Sequence, residues 1–507
     1  MNKKFVSGLA ALAVVFSGAA ALPAGTFEGF SLTADAENFE IVAGGACGEN
    51  VSWVLLSEGT LTISGSGDMA NYDSRTIPWY ANVQKIRNVV ISDGVTSIGK
   101  YAFYDCINLE SITIPKGVAS IGELAFFDCE SLESITVPEG AESIGLAAFD
   151  LCKSLKSVVL PDSIEYIDKY AFYRCESLTS INIPKSMTSI STGVFDSCTS
   201  LTSIIIPETL TSIGEYAFDN CRNLENVTIP ESVTYFGSGA FWDTKWLDKK
   251  QEEDPLVIVN NILIDGYAAS GDVAVPDGVK SIGEMAFYGC ESLESIKLPN
   301  SVVSIGGGAF ECCTSLSGIN IPEGVTSIEG TVFYDCESLE SIKLPDSITS
   351  IGRSAFEGCS SLKSITIPKS VKSIAVYAFG YYYEDDLQTY EDFTIKGSKG
   401  SAAEIYANEN GFTFIYEDDN KYPAVTSKVN GRYFRLEWTA VPDAEKYGLA
   451  VYQSGSWRVK AQFSGDVTTY TSPKVKKGTY KMVVCAKVNG EWVKSGINKR
   501  AFTVTIE

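Results

Sequence analysis

"AFYDCINLESITIPKGVASIG", residues 102–122, is one unit of a ruler that runs through most of the chain. Its cysteine recurs every 23 residues as Cys106, Cys129, Cys152, Cys175, Cys198 and Cys221, and the count resumes at Cys290, Cys313, Cys336 and Cys359. The 69 residues from Cys221 to Cys290 are three periods, so register survives across the degenerate stretch between them. Phenylalanine keeps the same step from Phe103 to Phe241 and from Phe287 to Phe379, and proline from Pro115 to Pro230 and from Pro276 to Pro368. Self-similarity at a fixed period of this length marks a solenoid, in which one unit cannot bury its apolar face alone and stacked neighbours complete the core.

Within the unit, Leu109, Ile112 and Ile114 give the L-x-x-L-x-L spacing of leucine-rich repeats. Period-2 alternation turns Ile112 and Ile114 to one face of a short strand and Ser111 and Thr113 to the other. Pro115 ends the strand, Val118 and Ile121 turn back inward, and Ala125, Phe126 and Cys129 close the coil. The expected fold is an α/β solenoid, a leucine-rich-repeat stack of about a dozen 23-residue coils, followed by a small all-β sandwich.

The unit resembles the BspA-like bacterial leucine-rich repeats, whose signature is S-I-G-x-x-A-F-x-x-C-x-x-L-x-S-I-x-I-P. The resemblance covers roughly Cys47 to Ile415. "GACGENVSWVLLSEGTLTISGSGDM" (Gly45–Met69) with Pro78-Trp79 resembles the family's N-terminal cap, and "GSKGSAAEIYANENGFTFI" (Gly397–Ile415) its C-terminal one. In the second, Ser401 and Glu404 form an S-x-x-E capping box and Gly411 is placed to stop a short helix. The resemblance implies an adhesin-like or host-binding protein of the cell surface. The division expected is a secretory segment over 1–36 (cleavage between 21 and 36), a cap over 37–93, and a solenoid over 94–380 with irregular coils at 242–271. A C-terminal cap and joint over 381–420 and a sandwich over 421–507 follow.

Lys3 and Lys4 precede an apolar run from Phe5 to about Leu22, the pattern of a secretory signal, and no later stretch reaches the length of a membrane span. The mature chain is therefore expected to be exported, extracellular or surface-associated, without a membrane span. Export raises the question of the 13 cysteines. Ten lie on the repeat ladder, where neighbouring coils bring them within disulfide range but with side chains running parallel, a poor geometry for the bond. They are read as reduced, buried, structural thiols.

The chain contains no histidine. Ser-His and Cys-His dyads, the commonest general base and the commonest zinc ligand are removed together. Paired carboxylates remain chemically able, but Glu110, Glu133 and Glu294 sit at repeated solvent-facing positions with no pocket to raise a pKa. No enzyme activity, cofactor, metal or nucleic-acid partner is expected.

Charge divides the chain. Residues 421–507 hold 15 basic and 6 acidic residues, net +9, out of totals of 40 and 63, which leaves net −32 for residues 1–420. "FRLEWTAVPDAEKYGLAVY" (Phe434–Tyr452) alternates around a turn, "YKMVVCAKVNGEW" carries an Asn489-Gly490 hairpin signal, and "RAFTVTI" adds a last strand. The region resembles a fibronectin type III-like sandwich, with Trp438 and Tyr447 as core residues. Arg458, Lys460, Lys474, Lys476, Lys477, Lys499 and Arg500 form a candidate basic face for an anionic cell-wall polymer.

Two further surfaces are candidates for an extracellular protein or glycan ligand. The outward strand face carries small hydroxyls, from Ser111/Thr113 to Ser364/Thr366, with no aromatic or arginine anchor, so no rung is singled out. Beside the Phe-Cys corner runs an aromatic stripe of Tyr101, Tyr104, Phe127, Tyr170, Tyr173, Tyr216, Trp242, Tyr288 and Tyr334, able to stack on sugars or anchor a protein and equally able to pack between coils. Three functional classes follow: an adhesin-like interaction protein, a glycan-binding accessory protein, and a structural envelope component.

Overall fold

A computed structural model of the chain describes residues 40–383, 386–416, 422–488, 490–494, 497–498 and 500–507. The secretory segment, the joint over 417–421, Asn489 and Lys499 lie outside the described residues. The chain divides into two compact units, one ending at Ala268 and one beginning at Ala269. It is a β-solenoid of about 14 turns with little helix.

The first unit opens on three antiparallel strands, Ile41–Ala46, Val51–Leu56 and Thr60–Gly65. Thr60–Gly65 then pairs in parallel with Asn88–Ile91, which pairs with Ser111–Thr113, so the meander grades into the coil ladder. Each later regular coil of this unit gives two strands. One is the S-I-T strand, as in Ser134–Thr136 beside Ser157–Val159. The other is the S-I pair after the proline turn, as in Ser120–Ile121 beside Ser143–Ile144.

The expected helical half of each coil is a turn instead. Two residues per coil take left-handed φ, among them Tyr101 (60°) with Asp105 (61°) and Leu124 (55°) with Asp128 (58°), a conformation that right-handed helix excludes. Alternate amides point along the stack: Tyr101, Phe103 and Asp105 donate to the carbonyls of Glu123, Ala125 and Phe127 in the next coil at 3.0, 2.7 and 2.9 Å. The corner is therefore a second intercoil ladder, and the α/β class gives way to β. Helix is confined, among the described residues, to a 3₁₀ turn at Tyr80–Lys85 and two α-helices, α1 (Lys245–Glu253) and α2 (Ala402–Asn410).

Phenylalanines fill the core as a stack. From Phe103 to Phe241 successive rings lie 5.0 to 5.8 Å apart, and Trp79 closes the start at 5.8 Å from Phe103. In the second unit the rings from Phe287 to Phe379 repeat this at 5.1 to 5.6 Å, and Tyr406 of α2 closes the end edge-on to Phe379 at 5.9 Å. All 13 cysteines lie within the described residues and none forms a disulfide there, and those of the ladder are buried. Their thiols hold the coils together, since Cys129, Cys152, Cys175, Cys198 and Cys221 each donate to the carbonyl of the phenylalanine one coil back, at 3.1 to 3.3 Å. Cys313, Cys336 and Cys359 do the same at 3.1 Å. Cysteine supplies a small apolar body and a weak second donor to a buried carbonyl that already accepts from the amide three residues on.

The degenerate stretch consists of α1 and the hairpin Val257–Val259/Ile262–Asp265, turned by Asn260 and Asn261 at φ 50° and 63°. Asn260 fastens it by donating to the carbonyls of Pro230 and Val233 at 2.8 and 2.9 Å. At the far end α2 forms as its capping box predicts: Ser401 accepts from the Glu404 amide, Glu404 accepts from the Gly400 amide at 2.5 Å, and Gly411 takes φ 75°.

Beyond it, Val425–Asn430, Tyr433–Trp438 and Thr469–Thr471 form one antiparallel sheet. Ser456–Ser464, Lys446–Gln453 and Gly478–Val488 form a second, which Glu491–Trp492 and Phe502–Ile506 join through Gly478–Val488. Both sheets contribute to one core, Phe434, Leu436 and Trp438 from the first and Tyr447, Leu449, Met482, Val484 and Val504 from the second. The Tyr447 hydroxyl accepts from the Val441 amide at 2.6 Å.

Candidate interaction surfaces

The corner turn dictates what its aromatic residues can do. The first left-handed position of each coil is Tyr101, Leu124, Ala147, Tyr170, Gly193, Tyr216 or Gly239 in the first unit. Where tyrosine is followed one coil later by glycine, the ring lies across the space that the glycine leaves. A Cβ on Gly193 would stand 2.4 Å from the Tyr170 ring, and one on Gly239 would stand 2.8 Å from Tyr216 and 2.9 Å from Trp242.

The rings spend their faces on one another. Tyr104 stacks on Phe127 at 4.9 Å and 6°, with Tyr101 5.2 Å from Tyr104. Tyr170 meets Tyr173 edge-on at 5.8 Å, and Tyr216 meets Trp242 at 5.9 Å. Cations cover further faces, Lys100 over Tyr101 at 5.3 Å and Arg174 over Tyr173 at 5.0 Å. Tyr170 (37%) and Tyr288 (40%) are exposed, while the other stripe residues, Tyr334 among them, are half-buried or buried. The stripe is also interrupted: the column of Tyr104, Phe127, Tyr173 and Trp242 holds Asp150, Asp196 and Asp219 in between.

These carboxyls feel the corner. Burial pushes Asp150 up to about 7, against a lowering by Arg174, and its Oδ1 is buried without a partner. Burial also raises Asp219, to about 6, with Asp196 and Asp243 adding to it. Periodicity names the column but not its aromatic-acid alternation, which is legible only when coils are aligned by their phenylalanine.

On the strand face, Val159 (65%) and Ile205 (73%) are exposed among the hydroxyls. Asn182 clamps the neighbouring coil, its amide accepting from the Leu160 amide and donating to the Leu160 carbonyl at 2.9 and 2.7 Å. Asn320 clamps Leu298 in the same way at 2.9 Å on both sides. Intercoil ion pairs line the first unit, including Lys153–Glu130 (2.5 Å) and Lys156–Glu133 (2.9 Å).

The basic residues of the C-terminal module stand on separate elements. Arg458 and Lys460 lie on the edge strand Ser456–Ser464, and Lys474, Lys476 and Lys477 on the loop before Gly478–Val488. Arg500 lies 4.1 Å over the Tyr422 ring, and Lys499 falls outside the described residues. Sequence reasoning misses the outer face of the larger sheet. There Trp457 and Trp492 cover the small residues Ala450, Val483 and Cys485, and a Cβ on Gly448 would stand 2.9 Å from the Trp492 ring. Trp457 donates to Asn498 at 3.0 Å and meets Tyr452 edge-on at 5.3 Å. A glycine beneath a tryptophan is the signal that would have found it.

Short parallel strands stacked coil on coil over a phenylalanine ladder define a leucine-rich-repeat solenoid. The chain belongs to the family described as BspA type leucine rich repeat region, whose model matches residues 78–201, 120–248 and 268–384. Among solved structures it is similar to a leucine-rich repeat protein from Bacteroides ovatus, at 27% identity over 73% of this chain and 98% of that chain, with a TM-score of 0.39. It is also similar to a leucine rich cell surface protein from Faecalibacterium prausnitzii, at 26% identity over 76% and 96% with a TM-score of 0.37. The pneumococcal vaccine antigen PcpA is 19% identical over 75% and 98%, with a TM-score of 0.36. Comparison with curated proteins finds no match. Among the described residues no helix is long and apolar enough to cross a membrane.

Proposed function

We propose that the chain is a secreted or surface-associated, non-enzymatic, adhesin-like interaction protein. In this reading the solenoid of residues 94–380, between caps at 37–93 and 381–420, binds protein partners. The module at 421–507, a fibronectin type III-like sandwich, holds the protein near an anionic cell-wall polymer through its basic residues. The observation that carries the reading is the repeated strand face of a BspA type array, whose side chains stand in register from coil to coil. Surface display rests on the signal-like N-terminus.

The test is a binding screen of the full chain against matrix proteins, purified cell walls and insoluble polysaccharides, with and without K474E/K476E/K477E. Retention on matrix proteins by both forms, with wall binding lost in 0.5 M salt and in the variant, is the expected result. Absence of binding to any matrix protein would sink the adhesin reading, and wall binding indifferent to salt would sink the tether.

A second reading, a glycan-binding accessory protein, is favoured by Trp492 lying against Gly448 on the face that it shares with Trp457, since preset rings lose little entropy on stacking against sugars. Polysaccharide retention abolished by W492A would select it.

A further inference from the structure

The strand ladder fails at one coil of the second unit. Ser295–Lys297 pairs on both sides, with Asp272–Ala274 and with Gly318–Asn320, and Ser364–Thr366 pairs with Thr394–Lys396. Between them, residues 341–343 form no strand. No backbone–backbone hydrogen bond joins Glu340, Ser341, Ile342, Lys343 or Leu344 to either neighbouring coil. Every amide and carbonyl of an extended segment has to be satisfied somewhere, and these are left open to a ligand strand or to water.

Beside this break lies a groove of about 630 Å³. Ile342, Leu344 and Ile367 give it an apolar floor, and Lys343, Lys369, Ser370 and one carboxylate, Asp346, give it polar walls. In the preceding coil Ser347 donates to the Val325 carbonyl at 2.6 Å, whereas the equivalent Ser370 hydroxyl is buried without a partner.

The groove carries two lysines against one carboxylate. In the first unit, several lysines of the array are neutralised one coil away, as in Lys153–Glu130 and Lys156–Glu133. Lys343 and Lys369 make no ion pair among the described residues, although residues 1–420 carry a net charge of −32. Lys343 and Lys369 outnumber Asp346 on an otherwise strongly acidic array, and with the unpaired backbone beside them they favour an anionic ligand that can also make main-chain hydrogen bonds.

We propose that this groove docks an extended acidic peptide segment of a protein partner. The segment pairs its backbone with Ile342–Leu344, lays alternate apolar side chains on Ile342, Leu344 and Ile367, and sets its carboxylates against Lys343 and Lys369. The proposal rests on the protein-binding reading and names the place and chemistry of one contact within it.

The probe is a fluorescein-labelled decapeptide of alternating valine and glutamate, titrated into the full chain at 50 mM salt and read by anisotropy. Saturable binding is expected, weakened at least tenfold by K343E/K369E, by 0.5 M salt, and by N-methylation of alternate peptide amides on the pairing edge. Neither substituted lysine is buried, so the variant keeps its fold. A valine-lysine peptide should not bind. No saturable binding, equal affinity for the variant, or equal affinity of the N-methylated peptide overturns the proposal. Equally effective competition by oligogalacturonate at matched charge also overturns it, by making the groove a general polyanion site. If the parent and K343E/K369E bind matrix proteins alike while the peptide does not bind, the groove proposal falls and the protein-binding reading stands. Peptide binding without any matrix binding separates the two the other way.

Discussion

Residues 291–299 and 337–345 spell the same nine letters, ESLESIKLP, and take different structures. In the first, Leu293–Lys297 is a strand bonded to both neighbours; in the second, no strand forms and a groove opens. Both copies bury their leucine fully, Leu293 and Leu339, and both sit on the same phenylalanine stack. The core half of the coil is therefore fixed by its own residues, whereas the strand half is decided by the next coil. Asn320 closes both backbone groups of Leu298, but the position that faces Leu344 in the same way is Thr366, which has no amide side chain to do so. The ladder also forms without asparagine, as between Thr136 and Val159, so the clamp is one device among several.

The largest test breaks what the two copies share. Leu293→Ala and Leu339→Ala should each cost about 2–5 kcal/mol, by lost apolar burial and the cavity left behind, and by nearly the same amount. Denaturant unfolding of the two variants checks this; a clearly smaller cost at Leu339 would mean that the second coil is loosened to its core. Next comes hydrogen exchange. The amides of Ser295–Lys297 should exchange at least about 100-fold more slowly than those of Ser341–Lys343, because only the former lie in a ladder. Equal protection in the two identical peptides would remove the basis of the groove.

Exchanging the clamp sharpens the comparison. Asn320→Thr should weaken the coil at Leu298 by about 1–2 kcal/mol through two lost hydrogen bonds. Thr366→Asn should raise protection at Leu344 and reduce binding of the acidic peptide. Protection that rises at Leu344 with peptide affinity unchanged would place the ligand elsewhere.

Much of this molecule can be read from its letters. The period, the Phe-Cys core and the Ser401/Glu404 cap follow from spacing, because buried positions and helix ends tolerate few residue types. The corner could not be read, since Tyr101, Leu124 and Tyr170 adopt left-handed φ that glycine or asparagine would have announced. Their conformation is held by amide bonds to the next coil, information that lies 22 residues away. The break at Ser341 is unreadable for the same reason in its purest form, since the identical nonapeptide is regular elsewhere. On the C-terminal module, lysine counting points to charges on separate elements, while Trp492 over Gly448 is a juxtaposition that strand pairing creates.

The smallest effect concerns the corners of the two coils. Gly289 occupies the left-handed position in the first and Asp335 the same position in the second. Burial raises the Asp335 carboxyl above its usual range, and Glu337, Glu357 and Glu311 raise it further. Between the ordinary carboxylate pKa and this raised value, the folded coil holds a proton that the unfolded chain has released. Stability therefore falls as pH rises through that window and levels off above it. Asp335→Asn keeps a residue that tolerates left-handed φ and removes the charge. It should stabilise the second coil near neutral pH by less than about 1 kcal/mol, after screening by solvent at this partly exposed site, with the gain vanishing under acid conditions. Exchange of the Cys336 amide, which donates to Phe333, reports it; the Cys290 amide, donating to Phe287, serves as the internal control because its coil has no carboxyl there. A pH response surviving unchanged in the variant would show that Asp335 is not its source.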